Sequence, residues 1–248
     1  MNKQAKNPRD RDVMYQVSLL QGLTNGDYQG SVPVGELKDH GDIGLGTFDG
    51  LNGELIMLDG TVYRAAGDGS VELVSDTETV PFCVVTYMDA DASLAVENVP
   101  SYDAFHAMLD ELVDQKGKNR FYMVRVDGSF RTVNVRSVNA QQGPYRRLSQ
   151  VMEDDQTFYD YRDMEGTLVG LYCPPYMSYL NAVGWHLHFI SKDRTRGGHV
   201  LGVDIDRATL TWDDTDGFQV RLPQSECFSA FDLTVDQTRE IERIETNK

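Results

Sequence analysis

The chain has 248 residues, of which 39 are Asp or Glu and 23 are Lys or Arg, giving a formal net charge of −16. That balance excludes most sequence-independent binders of nucleic acid and of anionic membranes, which need a basic face to neutralise phosphates. With 40% hydrophobic and 10% aromatic residues the chain can build a packed interior, and its length allows one to two domains.

Residues 1–12 are polar throughout and read as a mobile tail without the apolar stretch of a signal peptide. Val13, Val17 and Leu20 have helical spacing, and Asn25-Gly26 ends that segment. From Ile43 the pattern turns to short β runs. Segments 54–58, 61–65 and 71–74 are separated by Asp59-Gly60 and Gly67-Asp68-Gly69, a meander of hairpins. Residues 81–88 form an apolar run of central-strand character. Residues 101–116 carry the clearest helix, with Phe105, Met108, Leu109, Leu112 and Val113 on one stripe and Ser101 as N-cap. Runs 120–126 and 130–138 suggest a hairpin across Asp127-Gly128.

Between residues 140 and 159 the chain becomes polar, which places a boundary between an N-terminal β-rich lobe, 13–142, and a C-terminal one, 143–248. The second lobe holds strand runs at 167–173, 183–190, 199–205, 208–212 and 218–222, and a short helix at 236–245 with Ile241 and Ile244 inside. The fold class expected is β-rich α+β: two lobes on mixed or antiparallel sheets, few helices, and a site between them. No run approaches the ~18 apolar residues of a membrane span. Three scattered cysteines (Cys83, Cys173, Cys227) form no CxxC and no even set, which fits partly buried side chains in a reducing, cytoplasmic compartment.

The chain has five histidines, and three fall within fourteen positions: His186, His188 and His199. Strand alternation puts His186 and His188 on one face and Trp185, Leu187 and Phe189 on the other. A polar loop over 191–198 returns the chain, so that antiparallel pairing brings His199 opposite or diagonal to His188. Three neutral nitrogen donors from two adjacent strands make a metal site with open positions, the arrangement of a catalytic zinc, although imidazole suits other divalent ions as well. His40 and His106 are isolated, and His106, off the apolar stripe of its helix, is expected in solvent. Asp213-Asp214-Thr215-Asp216-Gly217 superficially resembles a calcium loop but lacks the distal bidentate Glu, and reads as a hairpin turn. The glycine pairs near residues 44 and 67 precede no helix of a βαβ unit and make weak phosphate cradles.

Gly-Trp-His-Leu-His-Phe-Ile-Ser-Lys-Asp-Arg-Thr-Arg-Gly-Gly-His-Val-Leu, from Gly184, resembles the metal-binding hairpin of the α-acetolactate decarboxylases. Gly41-Asp-Ile-Gly-Leu-Gly-Thr-Phe-Asp-Gly-Leu-Asn-Gly-Glu54 is similar to that family's N-terminal signature. Phe130-Arg-Thr-Val-Asn-Val-Arg136, followed by Gln141 and Pro144-Tyr145, resembles its next hairpin. Gly166-Thr-Leu-Val-Gly, Leu222-Pro223, Phe228 and Asp232-Leu233 follow in order, so the resemblance spans residues 15–245. Trp185 stands where another aromatic is expected, and the export signal of some members is absent.

The resemblance implies a zinc enzyme converting (S)-2-acetolactate to (R)-acetoin and carbon dioxide, the metal chelating substrate oxygens and stabilising an enediolate. It puts the ligands on His186, His188 and His199, the catalytic residues on Glu54, Arg136 and Glu245, and Thr47 in the substrate pocket. It also implies a homodimer. The partner is a small 2-hydroxy-3-keto acid, with no nucleic acid, membrane or organic cofactor required. On the residues alone, Glu54 reads equally as a turn carboxylate and Arg136 as part of a solvated strand face with Thr132 and Asn134. Glu240 and Glu245 flank the last helix's inner face equally. Rival readings are another three-histidine metalloenzyme, such as a cupin-like isomerase or a hydratase, and a non-catalytic metal-binding β domain. Cupins usually place a glutamate shortly after HxH, where this chain has Ser191-Lys192-Asp193.

Overall fold

The computed structural model describes residues 11–246, except the side chains of Glu242, Glu245 and Thr246. Most of the expected tail therefore lies outside the described residues. Asp12, at its end, accepts a hydrogen bond from the Gly217 amide at 2.8 Å.

In chain order the elements are β1 (Val13–Val17), α1 (Leu20–Thr24), β2 (Val32–Pro33), α2 (Val34–Leu37), β3 (Ile43–Thr47), β4 (Glu54–Leu58), β5 (Thr61–Ala65), β6 (Val71–Leu73), β7 (Thr79–Val80), β8 (Phe82–Thr86) and β9 (Ala92–Val99). Then come α3 (Tyr102–Lys116), β10 (Phe121–Val138), α4 (Leu148–Asp154), β11 (Gln156–Cys173), β12 (Gly184–Ser191), β13 (Gly197–Thr215), β14 (Gly217–Arg221), α5 (Glu226–Ala230) and α6 (Thr238–Thr246). They form a seven-stranded sheet, β14-β1-β8-β3-β4-β5-β6, and a five-stranded sheet, β10-β11-β12-β13-β9, with β2 and β7 as a separate pair. β10 also pairs with β13, so the second sheet closes on itself through β10–β13 and gives these strands no free edge there. The expected β-rich α+β class stands.

Alternation along the strands divides the core into layers. Ile56 and Leu58 of β4, Ile43 and Leu45 of β3, Val138 of β10 and Ile190 of β12 belong to the apolar layer between the two sheets. Leu55 and Met57 point the other way, toward Val34, Leu37 and Phe48. Leu187 and Phe189 face the second sheet's own core, where α3 inserts Phe105, Leu109 and Val113. The α3 start is as expected, with Ser101 Oγ accepting from the Ala104 amide at 3.2 Å. Asp59 and Gly60 both take positive φ (52° and 72°), the turn that joins β4 and β5 with the strands' own twist.

Several elements differ from the sequence expectation. Residues 13–17 are a strand, not the start of a helix. β1 is buried on both faces between β14 and β8, so its apolar residues reflect burial rather than helical periodicity. The expected hairpin at Asp127-Gly128 is absent because β10 runs straight through for 18 residues. Gly128 lies opposite both Gly166 and Ala208, and a Cβ there would sit 2.3 Å from the Arg207 carbonyl oxygen. The glycine serves close strand approach, not a turn. Runs 199–205 and 208–212 likewise merge into β13, with an irregularity near Asp206. Asp213-Gly217 is no hairpin either: β13 ends at Thr215 in one sheet and β14 pairs parallel with β1 in the other. The sheets do not follow the expected division at residues 142–143, since β9 and β10 belong with β11–β13, and β14 with β1. His106 is half-buried against Tyr102, with ring centroids 4.2 Å apart, rather than in solvent. Cys83 and Cys173 are buried and Cys227 is exposed; all three are free thiols.

Candidate metal centre and its cavity

The layer between the sheets is apolar except where β3, β4, β10, β12 and β13 place polar residues at the same parity as their core residues. Glu54 shares its face with Ile56 and Leu58, Thr47 with Ile43 and Leu45, and His186 and His188 with Ile190. In β12 and β13 the pairing puts His188 directly opposite His199. On its other side His199 is opposite Arg136 of β10. Three histidines and an arginine, from three strands, thus face the same space.

His186 Nε2 lies 3.1 Å from His188 Nε2 and 3.0 Å from His199 Nδ1. One nitrogen from each ring falls within 4.8 Å of the others, the spacing of a group that could hold a metal ion. His188 donates its Nδ1–H to the Leu55 carbonyl oxygen at 2.8 Å, which leaves Nε2 unprotonated and turned to the cluster. Burial, reinforced by the charge of Arg136, lowers the His186 pKa to about 3, and burial followed by the neighbouring His186 drives that of His188 well below its ordinary value. Both rings are therefore neutral ligands at physiological pH, as metal binding requires. The donor set fits a divalent ion: three nitrogens, with the orienting acceptor that a ligating imidazole needs supplied by Leu55.

Glu54 Oε2 is 3.5 Å from His188 Nε2, and its side chain is 12% exposed. Arg136 is 3% exposed, with Nη2 3.4 Å from His199 Nε2. Among the described residues its Nε and Nη1 have no hydrogen-bond partner. A buried guanidinium with idle donors is costly unless an anion arrives to use them. Thr47 pairs opposite Glu54, and its hydroxyl donates to the Gly53 carbonyl at 2.8 Å. That bond fixes the approach of the chain to Glu54.

A cavity of about 50 Å³ joins these groups; it is lined by Thr47, Glu54, Arg136, His186 and His199 together with an apolar wall that includes Leu20, Phe82 and Ile244. The structure thus brings together six of the seven residues singled out in the sequence, His188 through its contact with Glu54. Glu245 lies on α6 next to Ile244, but its side chain falls outside the described residues. Glu240, which periodicity could not separate from it, faces α4 instead: it accepts from Ser149 Oγ at 2.6 Å and from Arg147 Nη2 at 2.7 Å. Sequence reasoning missed the Leu55 carbonyl and the apolar wall. The wall comes from elements more than two hundred residues apart, with no local signal, whereas Leu55 was findable as the neighbour of Glu54.

A β-rich α+β chain that gathers three buried imidazoles, a buried guanidinium and a carboxylate around one cavity has side chains that could hold a metal ion and an anionic substrate. Comparison with known proteins supplies the family. A family model described as alpha-acetolactate decarboxylase matches residues 14–235. The chain is 39% identical to the alpha-acetolactate decarboxylase of Methanosarcina mazei, covering 94% of this chain and 80% of that protein. It is 34% identical to that of Brevibacillus brevis, covering 98% and 85%. The crystal structure of alpha-acetolactate decarboxylase from Bacillus subtilis strain 168 superposes with a TM-score of 0.90 at 30% identity, over 94% of this chain and 99% of that one. The chain belongs to the α-acetolactate decarboxylase family. The matched segment contains Thr47, Glu54, Arg136 and all three histidines, and ends before α6.

Proposed function

We propose that the protein decarboxylates (S)-2-acetolactate to (R)-acetoin and carbon dioxide, with His186, His188 and His199 holding a zinc ion. The observation that carries this reading is Arg136: a buried guanidinium with two donors unpartnered among the described residues, beside three imidazoles that could take a metal. A divalent ion held there supplies a Lewis acid for the ketone and hydroxyl oxygens of the substrate.

The other steps belong to the chain's own residues. Arg136 binds the carboxylate with its idle Nε and Nη1 donors, orienting the bond to be broken. The C–C bond to the carboxylate breaks, its electron pair moves into the neighbouring ketone as an enediolate, and neutral carbon dioxide leaves the guanidinium. In this reading Glu54, the carboxylate in the described lining of the inner cavity, takes the hydroxyl proton and delivers it to the nascent carbon, and one proton from solvent restores the product hydroxyl. The apolar wall excludes water from that carbon, so protonation comes from one fixed side. Glu245, carried by α6, is the second proton-transfer group of this reading.

The family likeness supports a homodimer, which light scattering on the purified protein checks. The three free thiols fit a reducing, cytoplasmic setting. The decisive experiment is acetoin formation from acetolactate by protein stripped of metal and then reconstituted with zinc. Activity that returns only with metal is expected, and full activity of metal-free protein would exclude the mechanism.

A further inference from the structure

A second, larger cavity of about 250 Å³ lies outside the first, lined by Ser149, Glu153, Gln156 and Arg243. The two cavities share three residues: Arg136, Met152 and Ile244. Arg136 forms the common charged floor, while Met152 on α4 and Ile244 on α6 form the common apolar boundary. The outer chamber carries two guanidiniums, Arg136 and Arg243, against Glu153, which Arg243 approaches to 3.9 Å. Among the described side chains, then, the outer chamber presents two guanidiniums and one carboxylate beside the cavity that Arg136 also lines.

α6 is seated on α4 by Glu240, which accepts from both Ser149 Oγ and Arg147 Nη2, and by Ile241 and Ile244, each 5% exposed in the layer between the sheets. Met152 packs against that same layer while remaining half-buried. Ile244 is as deeply buried as Phe82 of β8 and Leu20 of α1, whereas Met152 is half-buried, and apart from Arg136 the two cavities share only these two residues of the two short helices, Met152 and Ile244.

We infer that Met152 and Ile244 are the specificity-determining pair: they form the constriction between the outer chamber and the metal centre, admitting a 2-hydroxy-3-keto acid with a methyl group at C2 and resisting longer alkyl groups. This rests on the proposed reaction. The substrate's carboxylate meets Arg136 from the outer chamber, and its C2 substituent passes the thioether of Met152 and the side chain of Ile244.

The test compares kcat/KM for acetolactate with that for its homologue carrying an ethyl group at C2, in the zinc-loaded protein and in Met152→Ala, Ile244→Ala and Ile241→Ala. One methylene in an apolar pocket discriminates by about 10–200-fold. The ethyl-to-methyl ratio is expected to rise about tenfold in Met152→Ala and in Ile244→Ala. It should stay at the wild-type value in Ile241→Ala, which loosens α6 without widening the boundary. A ratio unmoved in both boundary variants overturns the inference, as does an equal rise in Ile241→Ala. The ratio is insensitive to how much of each variant is folded. If the wild type turns over neither substrate, the proposed reaction fails and this inference with it; if it turns over both and the ratio stays fixed, only the constriction fails.

Discussion

His188 on β12 and Leu55 on β4 are joined across the gap between two sheets by a single hydrogen bond, Nδ1–H to carbonyl, of 2.8 Å. The bond commits the proton of His188 to Nδ1 and ties the metal centre to the strand that begins with Glu54. Orienting partners of this kind contribute about 10–100-fold to metal affinity. His188→Ala is expected to abolish metal binding and acetoin formation together, measured as bound metal per chain and as turnover. Metal retained at full stoichiometry would remove His188 from the ligand set.

Arg136 separates activity from stability. Removing one partner of a buried charge interaction costs about 2–5 kcal/mol, so Arg136→Met should lower kcat/KM by roughly 30-fold or more. Yet among the described residues the guanidinium leaves two buried donors unused, and an apolar side chain of similar reach removes that penalty. The variant's thermal midpoint should equal or exceed that of the wild type. A large drop in midpoint would show that Arg136 is structural.

The two carboxylates assigned to proton transfer make different predictions. Glu54→Gln keeps the shape of the cavity lining and should lower kcat by at least about 100-fold, within the range for general acid–base groups, while metal content stays constant. Glu245→Gln should also lower kcat with KM little changed; an unaltered rate removes Glu245 from the reaction. Glu240→Gln, by contrast, weakens the seat of α6 on α4 and should act mainly on stability.

Two buried groups should make stability depend on pH between about 3 and 8, in opposite senses. Asp213, 2% exposed and surrounded by Asp89, Asp91 and Asp12, has its pKa raised to about 8, chiefly by burial. The folded chain therefore holds a proton there that the unfolded chain, at an ordinary value near 3.8, gives up. Stability from this group is complete below pH 3.8 and is lost as the pH rises toward 8. His186 works the other way. Its folded value near 3, against 6.5 unfolded, gives stability present above 6.5 and lost as the pH falls toward 3. Metal-free protein should thus lose stability in acid, and Asp213→Asn should flatten the decline between pH 5 and 8 in thermal melts. An unchanged slope between pH 5 and 8 in that variant would assign the decline elsewhere.

Salt should not impair capture of the substrate. The overall charge of −16 repels a carboxylate at long range, while the attraction lies inside, at the metal centre and Arg136. At 0.1 M salt the screening length is ~10 Å, which weakens the outer field more than the buried one. We expect kcat/KM to hold or rise between low salt and 0.15 M; a steep fall would mean that capture depends on exposed cations.

The site was legible where local patterning and chemistry coincide. The HxH of β12 and the returning His199 follow from strand alternation and one loop, and the pairing indeed sets His188 opposite His199. Glu54, Arg136 and Thr47 had no such local signature. Their strands are buried on both faces or closed into a ring, so a polar residue among apolar ones reads as a turn or a wet edge until the partner strand is known. Long strands were hidden for a related reason. Gly128 and its aspartate neighbour mimic a hairpin turn, although the glycine is demanded by the backbones of two flanking strands. The parallel union of β1 with β14 links residues 200 positions apart and leaves no mark in either segment.

That union has a consequence for biosynthesis. β1 leaves the ribosome about 200 residues before its parallel partner Gly217–Arg221. The seven-stranded sheet cannot be completed on a partly made chain, and the strand that delivers His199 runs directly into the missing piece. Such long-range pairing makes folding slow, and it makes assembly of the histidine cluster a late event in the life of the nascent chain. A product truncated before β14 would leave one edge of the β1 strand exposed, a natural target for quality control rather than a half-active enzyme.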